Sequence, residues 1–291
     1  MTDITSALPV TDLSHVHHGT MLAKFDALVV RGLVIYSPSK IVRLEDAGFH
    51  CEFRINQGLQ AKPQLGEPLH QSSQSHTFGP GSDLALLHPD LVLANINDTH
   101  LLVANLYCVF RPQLLLLTKD TYQRQHEPLD ADDLGAAQAV LVAAKHPYYA
   151  MFNCSAMSGA SREHKHMHIL PLESDGGMPS LETRIETFPF QSFRSPLEGA
   201  NPDELLHVYN RLLVDTREAL KLSPGVVCPH NVILTLEWLM LIPRQSNDFH
   251  GVTSNGAGMI GSVWLQNEAQ LDKWRQFGPK NVLSHLGIAK V

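Results

Sequence analysis

Apolar and polar positions alternate with two different periods along this chain, and the switches between them mark out its elements. Residues 20–36 carry a helical pattern that runs into the patches Leu28-Val29-Val30 and Leu33-Val34-Ile35, and Tyr36-Ser-Pro-Ser-Lys40 signals a turn. Residues 41–44 and 49–55 alternate with period two and predict strands. Residues 91–96, 100–110 and 113–118 predict three further strands, and the short turns between them favour antiparallel pairing. Residues 130–144 predict a helix: Asp130 can cap it, Asp132 and Asp133 suit its positive end, and Leu134, Ala137, Val140, Leu141 and Ala144 share a face. A strand over 148–153, a helix over 203–220, paired strands within 231–242 and a terminal helix over 267–277, ended by Gly278-Pro279, complete the pattern. Residues 174–203 read as loop-rich, and residues 61–83, dense in Pro, Gly, Ser and Gln, predict a mobile loop. Both flanks of that loop are small, so it is read as lying within one domain spanning residues 1–291.

Composition narrows the classes. Hydrophobic residues make up 44% and charged residues 18% of 291, enough for a sizeable core. A net charge of −7 argues against nucleic-acid binding through a basic surface, although a local donor set can still hold polyphosphate. The cysteines, Cys51, Cys108, Cys154 and Cys228, form no C-x-x-C pair and suggest reduced thiols. No apolar run reaches the roughly 20 residues that cross a bilayer, and residues 1–18 lack the features of a secretory signal. The expectation is a cytoplasmic or nuclear protein without a membrane partner.

The densest chemistry lies in residues 158–171. His164, His166 and His168 alternate with Lys165, Met167 and Ile169, so on a strand the three rings face one side and the apolar residues the other. Ser158-Gly159-Ala160-Ser161 just before them is a small-residue turn whose N–H groups and hydroxyls can hold an anion. Spacing alone leaves three readings open: nucleophilic or acid–base chemistry, zinc ligation, and a satisfied polar row. Gly256, Gly258 and Gly261 lack the context of a dinucleotide fingerprint and read as close packing or a turn. Trp238, Trp264 and Trp274 read as packing residues.

The segment from Asn153 to His166 resembles the active-site signature of fungal-type diadenosine tetraphosphate phosphorylases, or ATP adenylyltransferases, of the histidine-triad and galactose-1-phosphate uridylyltransferase superfamily. Further likenesses follow in order: Leu59 to Pro63, Asn97 to His100, Asn105 to Tyr107, Leu116 to Lys119, His230 to Trp238 and Ile242 to Arg244. The resemblance implies an α+β fold: a histidine-triad-like, mainly antiparallel sheet with helices packed on one face. It implies that His166 attacks the α-phosphorus to give a nucleotidyl-histidine and that phosphate then takes the AMP group as ADP. His164 would orient its neighbour or bind phosphate. Asn153, Ser158, Gly159, Ala160 and Ser161 would hold the transferring phosphoryl group, Asn105 would lie near the sugar, and Lys62 would reach the distal phosphates. The implied partners are dinucleoside polyphosphate, ATP, ADP and phosphate, with Mg or Mn riding on the substrate and no metal site in the protein. Composition and resemblance leave the oligomeric state undetermined.

The chain departs from that pattern at four places. His168 stands where phosphorylases carry Gln, which is the habit of histidine-triad hydrolases. Arg162-Glu163 replaces Gln-Pro, and Leu106 and Leu236 each replace a cation, of which Arg162 restores one. A hydrolase on the same fold and a catalytically diverged nucleotide-binding protein are the alternatives.

Overall fold

The computed structural model describes residues 13–61, 78–79, 81–172 and 178–290, so Lys62 and most of the 61–83 loop lie outside the described residues. In chain order, α1 (His18–Val30) precedes β1 (Ile35–Tyr36), β2 (Lys40–Asp46), β3 (Phe49–Ile55), β4 (Val92–Ile96), β5 (His100–Ala104), β6 (Tyr107–Cys108) and β7 (Leu114–Thr118). Next come α2 (Ala131–Ala144), β8 (Tyr148–Cys154), β9 (His166–Pro171), α3 (Leu181–Glu186), β10 (Phe193–Pro196) and α4 (Pro202–Ala219). They are followed by β11 (His230–Leu234), β12 (Trp238–Pro243), α5 (Gly256–Met259), β13 (Ser262–Leu265), α6 (Glu268–Phe277) and α7 (Pro279–Leu286).

Eight strands form the main sheet in the order β10-β12-β11-β8-β9-β7-β5-β4, and every pairing in it is antiparallel. Period-two alternation decides which face each side chain meets. Met167 and Ile169 of β9, with Leu114 and Leu116 of β7 and Ala150 and Phe152 of β8, pack against α1, α2 and α4. The opposite face of β8, β11 and β12 packs under a smaller sheet, β13-β3-β2, together with α3, α5, α6 and α7. On that same opposite face, Leu115 and Leu117 of β7 join Leu84, Val92, Leu101 and Val103 in a third apolar cluster. His166 and His168 pair with Leu117 and Leu115 on one side, and His168 pairs with Met151 on the other. The histidines thus occupy the strip of sheet between two covered regions.

Local sequence explains the long helices. Asp130 and Asp133 form a reciprocal capping box at the start of α2, and Asn201 and Glu204 do the same for α4, with Pro202 in its first turn. In α4, Leu205, Tyr209, Leu212 and Thr216 make the buried stripe. The expectation of helices on one face is corrected: α1, α2 and α4 cover one face, and the second sheet with its helices covers part of the other. The predicted strand over 100–110 breaks after Ala104, where the Gln113 side chain accepts from the N–H groups of Val109 (2.8 Å) and Phe110 (3.3 Å) and turns the chain. Among the described residues, no helix is long and apolar enough to cross a membrane.

Candidate active site

β9 begins at His166, two residues later than the row of histidines suggests. His164 makes only an isolated bridge to Arg124, and its fully buried ring is held from both ends. The Asp83 N–H donates to its Nδ1 (3.2 Å), so Nε2 carries the proton and points to Thr118 Oγ1 at 3.0 Å. With both nitrogens occupied, His164 orients its neighbour through its backbone. His166 Nδ1 lies 2.8 Å from the His164 carbonyl, which can only accept, so the proton sits on Nδ1 and Nε2 keeps its lone pair. Burial is the main cause that lowers the His166 pKa to about 4, against an opposing pull from Asp83, and the ring is neutral at pH 7.

Gln125 fixes the spacing of the two strands behind this ring. Its side chain accepts from the His166 N–H (2.8 Å) and donates to the His166 carbonyl (3.0 Å) and the Asn153 carbonyl (3.1 Å). The amide replaces the direct ladder beyond the Met151–His168 pair and lets β8 and β9 splay where Asn153 and His166 face each other. His168 follows on the same face, edge-on to His166 (centroids 5.4 Å apart, 72°) and to Trp264 (6.0 Å, 77°).

The other wall is a small-residue turn held from beneath. Ser155 has φ +73° and ψ 167°, a region that side chains rarely adopt, and Gly159 has φ +86°. A Cβ on Gly159 would come 2.7 Å from the Asn255 Cα and the Ser254 carbonyl, so only glycine fits there. The hydroxyls of Ser155 and Ser158 are buried without a hydrogen-bond partner among the described residues. Asn153 is oriented by two donors to its Oδ1, Asn231 Nδ2 at 2.8 Å and the Gly256 N–H at 2.9 Å, which leaves its own NH₂ for a ligand. The neutral His166 ring therefore faces Asn153 across the splayed strands, and the turn that follows Asn153 carries unpartnered hydroxyls, donors of the kind that suit a tetrahedral oxyanion.

Of the residues the sequence suggests, the His164 carbonyl and the His168 ring adjoin the His166 ring, Asn153 faces His166 across the β8–β9 pair, and the Ser158 carbonyl meets the same Asn231 amide that holds Asn153. Asn105 sits across from Gln113, and its side chain donates to the Tyr107 carbonyl (3.1 Å). Arg162 is no spare cation, being paired with Asp83 at 2.6 Å. Leu236 lies in the turn beyond Leu234, which pairs with Ala150, away from the Ser155–Ser161 turn. Among the described residues, no three His, Cys, Asp or Glu side chains converge as metal ligands. Sequence reasoning missed Asp83, Thr118, Gln125, Ser155, Asn231, Arg244 and the role of Gly256. Thr118, Ser155, Asn231 and Arg244 lie in segments that resemble the family but drew no role of their own, and Gly256 lies in a glycine set read as close packing; a Cβ there would meet Asn153 Oδ1 and Met151 at 3.0 Å.

Two family models match consecutive stretches of the chain. The Ap4A phosphorylase N-terminal domain matches residues 37–186, and the ATP adenylyltransferase C-terminal domain matches residues 186–289. Saccharomyces cerevisiae Protein APA1 is 25% identical over 245 residues, covering 74% of this chain and 72% of its own. Diadenosine 5',5'''-P1,P4-tetraphosphate phosphorylase 2 from the same yeast is 22% identical over 287 residues, covering 86% and 87%. The crystal structure of yeast Ap4A phosphorylase Apa2 in complex with Ap4A superposes with a TM-score of 0.73 at 18% identity, over 94% of this chain and 98% of that one. The fold is therefore shared across nearly the whole length.

Proposed function

The chain belongs to the Ap4A phosphorylase and ATP adenylyltransferase family, and on that premise we propose that it cleaves diadenosine tetraphosphate-type substrates by nucleotidyl transfer to phosphate. The observation that carries this reading is the His166 ring, whose proton is held by the His164 carbonyl and whose Nε2 is left as a neutral nucleophile. In the first step Nε2 bonds to the α-phosphorus, the bond to the bridging oxygen breaks, and ATP leaves. The Asn153 amide and the Ser155 and Ser158 hydroxyls hold the non-bridging oxygens as charge moves onto them. In the second step a phosphate oxygen attacks the same phosphorus, the N–P bond breaks, and ADP leaves. His168 stands beside the reacting ring and supplies a proton to the leaving oxygen.

A divalent cation such as Mg or Mn would neutralise the polyphosphate and ride on it. The donor set fits that arrangement, because Asp83, the carboxylate beside the histidines, is engaged by Arg162. The four free, buried cysteines support a reducing compartment, the cytoplasm or nucleus. One observation favours hydrolysis as a second reading: an imidazole at position 168 can take a proton from water, which glutamine cannot do.

Product analysis separates these readings. With diadenosine tetraphosphate and phosphate the expected products are ADP and ATP. AMP and ATP formed irrespective of phosphate would make the protein a hydrolase, and tight binding without any product would make it a nucleotide-binding protein. His168→Gln is expected to lower any AMP fraction, and an unchanged product ratio would remove the proton-transfer role from His168.

A further inference from the structure

Arg244 follows β12 and is completely buried. All six of its hydrogen bonds end on neutral oxygens: the carbonyls of Leu286 (3.3 Å), Ser158 (3.2 Å), Ser246 (3.1 Å) and Ser254 (2.9 Å), and Oδ1 of Asn231 (2.8 Å) and Asn247 (3.5 Å). The fold treats its other buried cations differently. Arg54 is 2.6 Å from Glu52 and Lys165 is 2.5 Å from Asp133. Among the described residues Arg244 forms no ion pair. Burial lowers its pKa to about 9, which still leaves it charged at neutral pH. A buried charge without a counter-charge is costly, so its partner is expected outside the folded chain.

The groups that Arg244 holds show where that partner sits. Its Nη1 donates to Asn231 Oδ1, which forces the Asn231 NH₂ towards Asn153 Oδ1 and the Ser158 carbonyl. That in turn aims the Asn153 NH₂ away from both. Its bonds to Ser158 and Ser254 fix the turn on one side and, on the other, the segment leading to Gly256, the second donor to Asn153. Every one of these links ends at the wall of the anion site.

We propose that Arg244 is a positioning residue whose buried charge is balanced by the substrate's α-phosphate, acting through Asn231, Asn153 and the Ser158 turn. This rests on the nucleotidyl-transfer reading of the site. The charge biases each amide in the relay so that donors face the ligand, and phosphate binding restores neutrality to the interior.

Asn247→Asp tests this without removing a single Arg244 contact, because it places a carboxylate where a neutral oxygen now accepts from Nη2. Affinities for AMP and for adenosine are measured by calorimetry at low salt. The substitution is expected to weaken AMP binding about tenfold, to change adenosine binding less than about twofold, and to leave the melting temperature unchanged or raised. Gln245→Glu adds the same charge at an exposed neighbour and is expected to change neither affinity. Arg244→Lys keeps the charge and loses the fork, so it should weaken AMP more than adenosine. An Asn247→Asp variant that binds AMP as the wild type does, or that weakens AMP and adenosine equally, overturns the proposal and leaves the site's function standing. Wild-type protein that binds neither AMP nor inorganic tripolyphosphate overturns the reading of the site and the role of Arg244 with it.

Discussion

Two buried cations flank the histidine strand, and the fold completes only one of them. On the helix-covered face, Lys165 Nζ reaches Asp133 Oδ2 (2.5 Å) and the Pro128 carbonyl (2.8 Å), while Asp133 Oδ1 meets His100 Nε2 at 3.0 Å. Burial pushes the Asp133 carboxyl up, but the bond from His100 and the charge of Lys165 outweigh it and hold the group below the usual carboxylate range. On the cleft side, Arg244 meets only neutral oxygens. The closed pair ties the start of β9 to α2 from behind, and the unpaired charge sits behind the Ser158 turn and Asn231. Lys165, just before β9, and His166, its first residue, thus serve opposite ends by pointing to opposite faces.

The largest effect should come from the cleft side. His166→Ala is expected to lower kcat by at least about a thousandfold while AMP binding persists, as for loss of a covalent nucleophile. Steady-state kinetics with calorimetry checks this, and near-normal turnover in a clean preparation would take the nucleophile away from His166.

The helix side should answer in stability instead. Lys165→Met leaves the Asp133 carboxylate buried without its cation and is expected to cost about 3–5 kcal/mol, read from denaturant unfolding. Adding Asp133→Leu should recover much of that loss, since removing both charges spares the desolvation of an unpaired ion. A double variant no more stable than the single one would mean that Asp133 matters mainly as the partner of His100 and the cap of α2.

Gln125 lies between the two regions. Gln125→Met removes the amide that splays β8 from β9 and should lower kcat about a hundredfold through misplacement of His166. A fall in stability with kcat intact would make Gln125 a purely structural wedge.

The sequence made the strand and its face legible but not the wall opposite. Period-two alternation separated His166 and His168 from Met167 and Ile169, and the Asp130–Asp133 cap announced α2, because both signals are local. The groups that hold His166 and Asn153 are not local. Gln125 meets His166 across 41 residues, Asn231 meets Asn153 across 78, and Gly256 meets Asn153 across 103. Nothing in the spacing of single Asn, Gln or Arg residues marks such encounters. Gly278-Pro279 was read only as a stop, yet Pro279 also opens α7, since proline suits the first turn of a helix. Four-residue β13 escaped notice because it pairs in parallel with β3, far away in sequence.

The smallest effect spans both faces and appears on acidification. His166 lies in the cleft and His230 on the helix side beside Tyr209, and burial lowers both pKa values to about 4. The unfolded rings titrate near about 6.5, so between these values the unfolded chain binds more protons and stability falls as pH falls. Unfolding free energies at pH 7, 6 and 5 should decline, and His230→Phe should make the slope shallower, with His164, whose pKa burial also lowers, sharing what remains. A level profile across that range would mean that both rings can charge within the fold.

The central claim is that His166 carries the nucleotide between the two halves of the reaction. Rapid quenching with diadenosine tetraphosphate in the absence of phosphate, followed by peptide mass analysis, reads this directly. The account predicts a burst of ATP matched by AMP on the peptide containing His166, released as ADP when phosphate is added. Turnover with AMP attached to a different residue, or with an undiminished adduct in His166→Ala, would contradict it.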